Sequence, residues 1–156
     1  MKKLASLAIV GSVMLLGICG TAHAQTGKRN LAQEETNRTL VLEFYDTFFN
    51  LHKVDEAAKV VAEDYIQHNP TVPDGKEPFV SYYRDFFKKT PGSRARIIRS
   101  AVEGDIVWLH VHSVNDEKDR GEAVLDVFRV KDGKIVEHWD VIQAVPETAE
   151  NRNTMF

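Results

Sequence analysis

Residues Ala123–Gln143 read AVLDVFRVKDGKIVEHWDVIQ, and the fold class turns on them. Apolar and polar residues alternate on both sides of Asp132-Gly133, a pair that tolerates positive φ. The stretch therefore predicts two strands joined by a tight turn. Embedded among Val124, Phe128, Val136 and Ile142 are three polar residues, Asp126, His138 and Asp140. Burying a carboxylate costs several kcal/mol unless it is paired. A hairpin built only for stability would avoid them, so a bound ligand or a reaction is the expected reason for their presence.

Turn length sets which side chains share a face, because a slip of one residue reverses the answer. A two-residue loop at Asp132-Gly133 puts Asp126 opposite Trp139 and Leu125 opposite Asp140. A three-residue loop, Lys131-Asp132-Gly133 with Gly133 as a left-handed bulge, puts Asp126 opposite His138 and Val124 opposite Asp140. Both loop types are common. Only the second gathers Asp126, His138 and Asp140 on one surface with an apolar wall, the mixture that lines ligand pockets. That register is the expectation.

The 156 residues, 43% hydrophobic and 28% charged, suit one globular domain. At the start, Lys2 and Lys3 precede an apolar run, Leu4–Ile18, which Ala22-His23-Ala24 closes. This is the pattern of a secretory signal peptide over residues 1–24, leaving a domain over 25–156 that is periplasmic or secreted. The run is shorter than the ~20 residues of a spanning helix, so no membrane association is expected once the leader is gone. A lipid anchor at Cys19 is disfavoured by the bulk of Ile18. Cys19 is the only cysteine, so the exported chain would carry neither disulfide nor thiol chemistry. It would hold 18 basic against 23 acidic residues, a net charge of −5. Nucleic acid, which rewards basic patches, is not an expected partner.

Upstream of the hairpin, Leu31, Leu40, Val41, Phe44, Tyr45 and Phe48 recur at helical steps, predicting an amphipathic helix over Asn30–Leu51. Asn37-Arg38-Thr39 matches a glycosylation acceptor but falls inside this helix, where chance explains it. A second helix is expected over Val54–Asp64 with Asp55 as its N-cap, and a third over Glu77–Lys89 with Pro78 in its first turn. Between them Tyr65–Pro70 is extended, because Pro70 restricts Asn69. Four strands follow: Arg94–Val102, Ile106–Ser113, Ala123–Val130 and Lys134–Gln143. Helices first and consecutive strands after them argue for α+β, a curved antiparallel sheet with helices on one face.

Several chemistries can be weighed on residue types. Nucleophile elbows, phosphate-cradling glycine loops and dinucleotide fingerprints are all missing from the sequence. His110-x-His112 with His138 and a carboxylate would suit zinc or iron, but that set leaves Asp126 and Asp140 unexplained. His110 and His112 share a strand face with Ile106 and Trp108, and either line a pocket or sit at a half-exposed surface. Two carboxylates in one apolar cavity resist ionising together, which leaves one acid and one base. The plainer alternative pairs Asp126 with Arg129 and leaves Asp140 to end its strand. Acid/base chemistry without a cofactor, or ligand binding alone, remains, with the histidine metal set as the lesser alternative.

Three segments carry a resemblance: YIQHNP at Tyr65–Pro70, DIVWLHVH at Asp105–His112 and LDVFRVKDGKIVEHWDVIQ at Leu125–Gln143. Over Leu40–Glu147 the chain resembles the SnoaL-like polyketide cyclases, a branch of the NTF2-like superfamily. The resemblance implies a cone of three N-terminal helices on a curved antiparallel sheet. It implies aldol-condensation, cyclase or isomerase chemistry, with Asp140 matching the acid/base carboxylate. Asp126 stands where the cyclase has a histidine and where related ketosteroid isomerases carry a proton-donating Asp.

The expectation is a cofactor-free enzyme acting on a small hydrophobic carbonyl compound. In it Asp140 abstracts a proton α to the carbonyl, and Asp126 or His138 donates to the enolate oxygen. Tyr65 and His68 orient substrate, and His110 and Phe128 line its site. Trp108 and Trp139, on the opposite face, would serve a homodimer. The competing class is a non-catalytic binding module with the same pocket.

Overall fold

The computed structural model describes residues 28–156, so the leader read at 1–24 lies outside the described residues. The elements run α1 (Leu31–Tyr45), a π-helical turn (Asp46–Asn50), α2 (Val54–Ala57), β1 (Val61–Gln67), α3 (Lys76–Lys89), β2 (Arg94–Glu103), β3 (Ile106–Val114), β4 (Glu122–Lys131) and β5 (Lys134–Ala144). The sheet order is β1-β5-β4-β3-β2. Helices followed by a curved five-stranded sheet make the α+β cone that the sequence predicts.

The fifth strand corrects the reading of Val54–Asp64 as one helix. That helix stops at Ala57, a short 3₁₀ turn follows over Ala58–Val60, and Val61–Gln67 is extended. Val61 and Tyr65 are the buried residues of β1, each 2% exposed. A spacing of four satisfies a helical face and a strand face equally, so periodicity could not separate them. The strand also pairs parallel to β5, so the sheet is not wholly antiparallel. Asp55 is not the N-cap, a position held by Lys53; it lies in the first turn and pairs with Arg84 of α3.

The first helix matches its expected span once the π turn is included. Asn30 caps it by accepting the N–H of Gln33. Val41, Phe44 and Phe48 bury its inner stripe against β3 and β4, where Val107, Leu109 and Val111 are each fully buried. Each such side chain contributes about 1.5–3 kcal/mol. Two polar residues, Glu34 and Asn37, are buried on the same helix. Asn37 Nδ2 donates to the Gly104 carbonyl at 3.0 Å, and Glu34 accepts the Gly104 N–H at 3.1 Å and the Arg29 guanidinium. They tie the helix start to the β2–β3 turn.

Arg29 holds the Glu34 carboxyl below the ordinary value of 4.5, against the opposing effect of burial. A depressed folded-state value stabilises the protein above the unfolded value, and that contribution is lost as pH falls through the folded one. Glu34→Gln should therefore lower the melting temperature near neutral pH. The gap to the parent should close below about pH 4.5, as thermal melts across an acid series would show. A gap that stayed constant with pH would exclude the ionised pair as its source.

Geometry at the β4–β5 hairpin combines the two expected registers. Asp132 (φ 50°) and Gly133 (φ 71°) form a two-residue turn, with Lys131 opposite Lys134 and Val130 opposite Ile135. Next the ladder shifts, and Arg129 faces Glu137. Val136 is the extra residue, a β-bulge of the kind that bends a strand and sharpens its twist. Beyond it Phe128 faces His138, Asp126 faces Asp140 and Val124 faces Ile142. The pairs differ from both expectations, yet Asp126, His138 and Asp140 do share one face. Ile135, fully buried, replaces Val136 on it.

The outer face carries Trp108, Val127 and Trp139 in one row across three strands. His112 and His110 stack on Phe156 at 4.2 and 5.8 Å, so the C-terminus folds back onto the sheet. Among the described residues, no helix is long and apolar enough to cross a membrane.

Candidate functional site

Between the helices and the inner face of the sheet lies a cavity of about 350 Å³. That volume suits a small organic ligand, near the lower end of the usual range for ligand pockets. Aromatic side chains of α3, including Phe79, Tyr83 and Phe86, form one wall, with Phe49 and Phe128 beside them. The floor is polar: Asp126 and His138 are 6% and 8% exposed, and Asp140 beside them is half-buried.

Every polar group of the floor is held by a partner from another element. Tyr45, at the end of α1, donates its hydroxyl to Asp126 Oδ2 at 2.7 Å. His138 Nε2 meets Asp126 Oδ1 at 3.0 Å, and its Nδ1 meets Gln67 Oε1 at 2.9 Å. Asn69 Nδ2 donates to Asp140 Oδ2 at 2.7 Å. The anticipated pairing of Asp126 with Arg129 does not form: Arg129 binds Glu137 and Asp105 on the outer face.

The partners of His138 fix its tautomer. Gln67 Oε1 accepts the backbone N–H of Asn69 at 2.9 Å, so that atom is the amide oxygen and can only accept. His138 Nδ1 must then carry a hydrogen. A neutral ring protonated at Nδ1 presents a lone pair at Nε2, which faces a carboxylate oxygen. The contact therefore holds one further hydrogen, as imidazolium with carboxylate or as imidazole with carboxylic acid. Tyr45 stays a donor, because burial and the neighbouring Asp126 charge push its phenol well above the usual range. Burial does the same for Tyr65 and Tyr83, so both face the cavity as neutral phenols.

The predicted residues divide cleanly. Asp126, His138, Asp140, Tyr65 and Phe128 come together in the cavity. His68 does not: it stacks on Trp139 at 4.7 Å and binds Glu137 on the outer face. His110 also lies outside, beside Arg99 at 2.8 Å. These placements leave His68 and His110 no contact with a ligand in the cavity, and they split the alternative metal set, since His138 points inward while His110 and His112 point outward.

Three residues that hold the polar floor, Tyr45, Gln67 and Asn69, are not among the sequence candidates. Strand alternation carried the signal for two of them. In an extended segment Tyr65, Gln67 and Asn69 share a face, and His68 cannot share it with Tyr65.

Cavity, cone and floor together define an NTF2-like α+β domain with an acid/base-capable pocket. Residues 39–150 match the family model described as SnoaL-like polyketide cyclase, and the chain belongs to that family. No curated protein matches the chain. Among solved structures, a SnoaL-like protein of unknown function from Burkholderia thailandensis is 19% identical with a TM-score of 0.62, over 71% of this chain and 97% of that one. A protein from Kribbella flavida described as a "putative ketosteroid isomerase" is 20% identical with a TM-score of 0.59, over 80% and 90%. An NTF2-like protein of unknown function from Mesorhizobium loti is 23% identical with a TM-score of 0.59, over 72% and 94%. At such identities these likenesses show the fold.

Proposed function

We propose that this chain is a cofactor-independent acid/base enzyme that removes a proton α to the carbonyl of a small hydrophobic compound. One observation carries the reading. Asp140 faces the hydrogen-bridged Asp126–His138 pair across the floor of a cavity walled on one side by aromatic side chains. Among the described residues nothing donates to Asp140 Oδ1, which leaves that oxygen to take the proton. Electron density moves from the broken C–H bond to the carbonyl oxygen. The bridging hydrogen is the acidic hydrogen that can meet it, giving an enol, an Asp126 carboxylate and a neutral His138. Returning the proton to another carbon gives isomerisation, and attack of the enol carbon on a second carbonyl gives an aldol product.

Aromatic walls give the enolate an apolar flank and hold a planar or hydrophobic body in place. Family membership and the Kribbella flavida neighbour's description support the reading. Export, from the leader pattern at 1–24, and pairing of two copies through the outer face with Trp108 and Trp139 belong to the same proposal.

Hydrogen–deuterium exchange at the α-carbon, followed by NMR across a panel of hydrophobic ketones and β-dicarbonyls, tests it. Protein-dependent exchange is the expected result. A ketone that binds stoichiometrically without exchanging would favour the binding-module class instead.

A further inference from the structure

We propose that the cavity floor is also a divalent transition-metal site, formed by Asp126, His138 and Asp140, which in its loaded form blocks the proton chemistry. One ligand atom from each of the three residues lies within 4.8 Å of the other two. Each residue is also held on its far side by another group. Gln67 Oε1 holds His138 Nδ1 at 2.9 Å, Tyr45 holds Asp126 Oδ2 at 2.7 Å, and Asn69 holds Asp140 Oδ2 at 2.7 Å. What remains free for the shared space is Nε2 of the ring and one oxygen of each acid. Outer hydrogen bonds of this kind fix ring tautomer and carboxylate orientation around metal ions.

Distances favour the same conclusion. Two ligands about 2.1 Å from one ion at tetrahedral angles are separated by about 3.4 Å. His138 Nε2 and Asp126 Oδ1 are 3.0 Å apart, so an ion can enter between them once the ring turns toward it and the two atoms part by a few tenths of an ångström. Asp140 offers the third ligand atom, within 4.8 Å of the other two and able to close on the ion by a small side-chain shift, and the cavity side is open to water or substrate oxygen. One imidazole and two carboxylates with an open position suit zinc-class ions, whereas magnesium and calcium prefer all-oxygen sets. His110 and His112 take no part, being on the outer face.

Binding itself rests only on this geometry. Its consequence for activity rests on the proposed acid/base role: a bound ion displaces the bridging hydrogen and occupies Asp140, so exchange activity should fall as metal is added.

Chelator-stripped, purified protein titrated with Co²⁺, followed by visible absorption and by calorimetric competition with Zn²⁺, tests the site. The expected result is one equivalent bound with micromolar or tighter affinity. His138→Gln and Asp140→Asn should each weaken it at least tenfold, and Gln67→Leu about tenfold through the loosened ring. The double variant His110→Gln/His112→Gln should bind as the parent does. Thermal melts establish that each variant is folded. No saturable binding by the folded parent protein would overturn the inference, as would affinity that survives His138→Gln or disappears with His110 and His112. Failure of exchange in metal-free protein would count against the acid/base reading and leave the metal site standing.

Discussion

Asp140→Asn is expected to slow α-proton exchange by about 100- to 10,000-fold, the usual contribution of a positioned general base. Its effect on stability should be small. Asp140 is half-buried, and the interaction it makes, accepting from Asn69 Nδ2, can be kept by the oxygen of the replacement amide. Substrate should still bind, because the apolar wall and the Asp126–His138 pair are untouched, so the loss should appear in kcat with little change in KM. NMR exchange rates with a melting curve on the same sample separate the two readouts. Exchange at the parental rate in a folded variant would remove Asp140 from the chemistry and leave the cavity as a binding site.

Asp126→Ala should produce the largest loss of stability of any single change at the site. It strips the partner from two groups at once, the Tyr45 hydroxyl and His138 Nε2, both deep in the protein. Breaking a buried pair by deleting one member costs about 3–5 kcal/mol. At roughly 3 °C per kcal/mol for a domain of this size, the melting temperature should drop by about 10–15 °C. Asp126→Asn keeps an acceptor for Tyr45 and offers an N–H to the ring, so it should cost well under half as much. It also fixes the bridging hydrogen on an amide, which cannot release it, so exchange should fall even though the fold holds. Tyr45→Phe isolates one arm of the network at about 1–3 kcal/mol. A double-mutant cycle over Tyr45 and Asp126 should show coupling, since the two share one hydrogen bond. Equal stability of Asp126→Ala and the parent would mean that the network does not form in solution.

Much of the cone was legible from the chain. β3 and β4 alternate inward and outward residues throughout, β2 and β5 do so on either side of a bulge, and no predicted strand end moves by more than one position. The grouping of Asp126, His138 and Asp140 was legible too, although its cause was not. A two-residue turn alone would have turned Trp139 inward, and the bulge at Val136 reverses that parity. Histidines were the least readable residues. His68 and His110 are typical ligand types, yet each sits on the outer side of the sheet, while the less conspicuous Gln67 and Asn69 point in.

By itself the sequence determined the α+β class, the hairpin and the three polar residues of its inner face, because periods of two and of 3.6 are local and survive without knowledge of partners. Three things were left to tertiary structure. β1 became a strand because β5 offered it an edge. The bulge formed where it buries Ile135 and His138 together and leaves Val136 partly exposed. Tyr45 became part of the floor because packing of α1 brings its hydroxyl to an aspartate 81 residues further along the chain. Each depends on contacts between distant segments, and no pattern confined to neighbouring residues can encode which edge, which parity or which distant acid a side chain will meet.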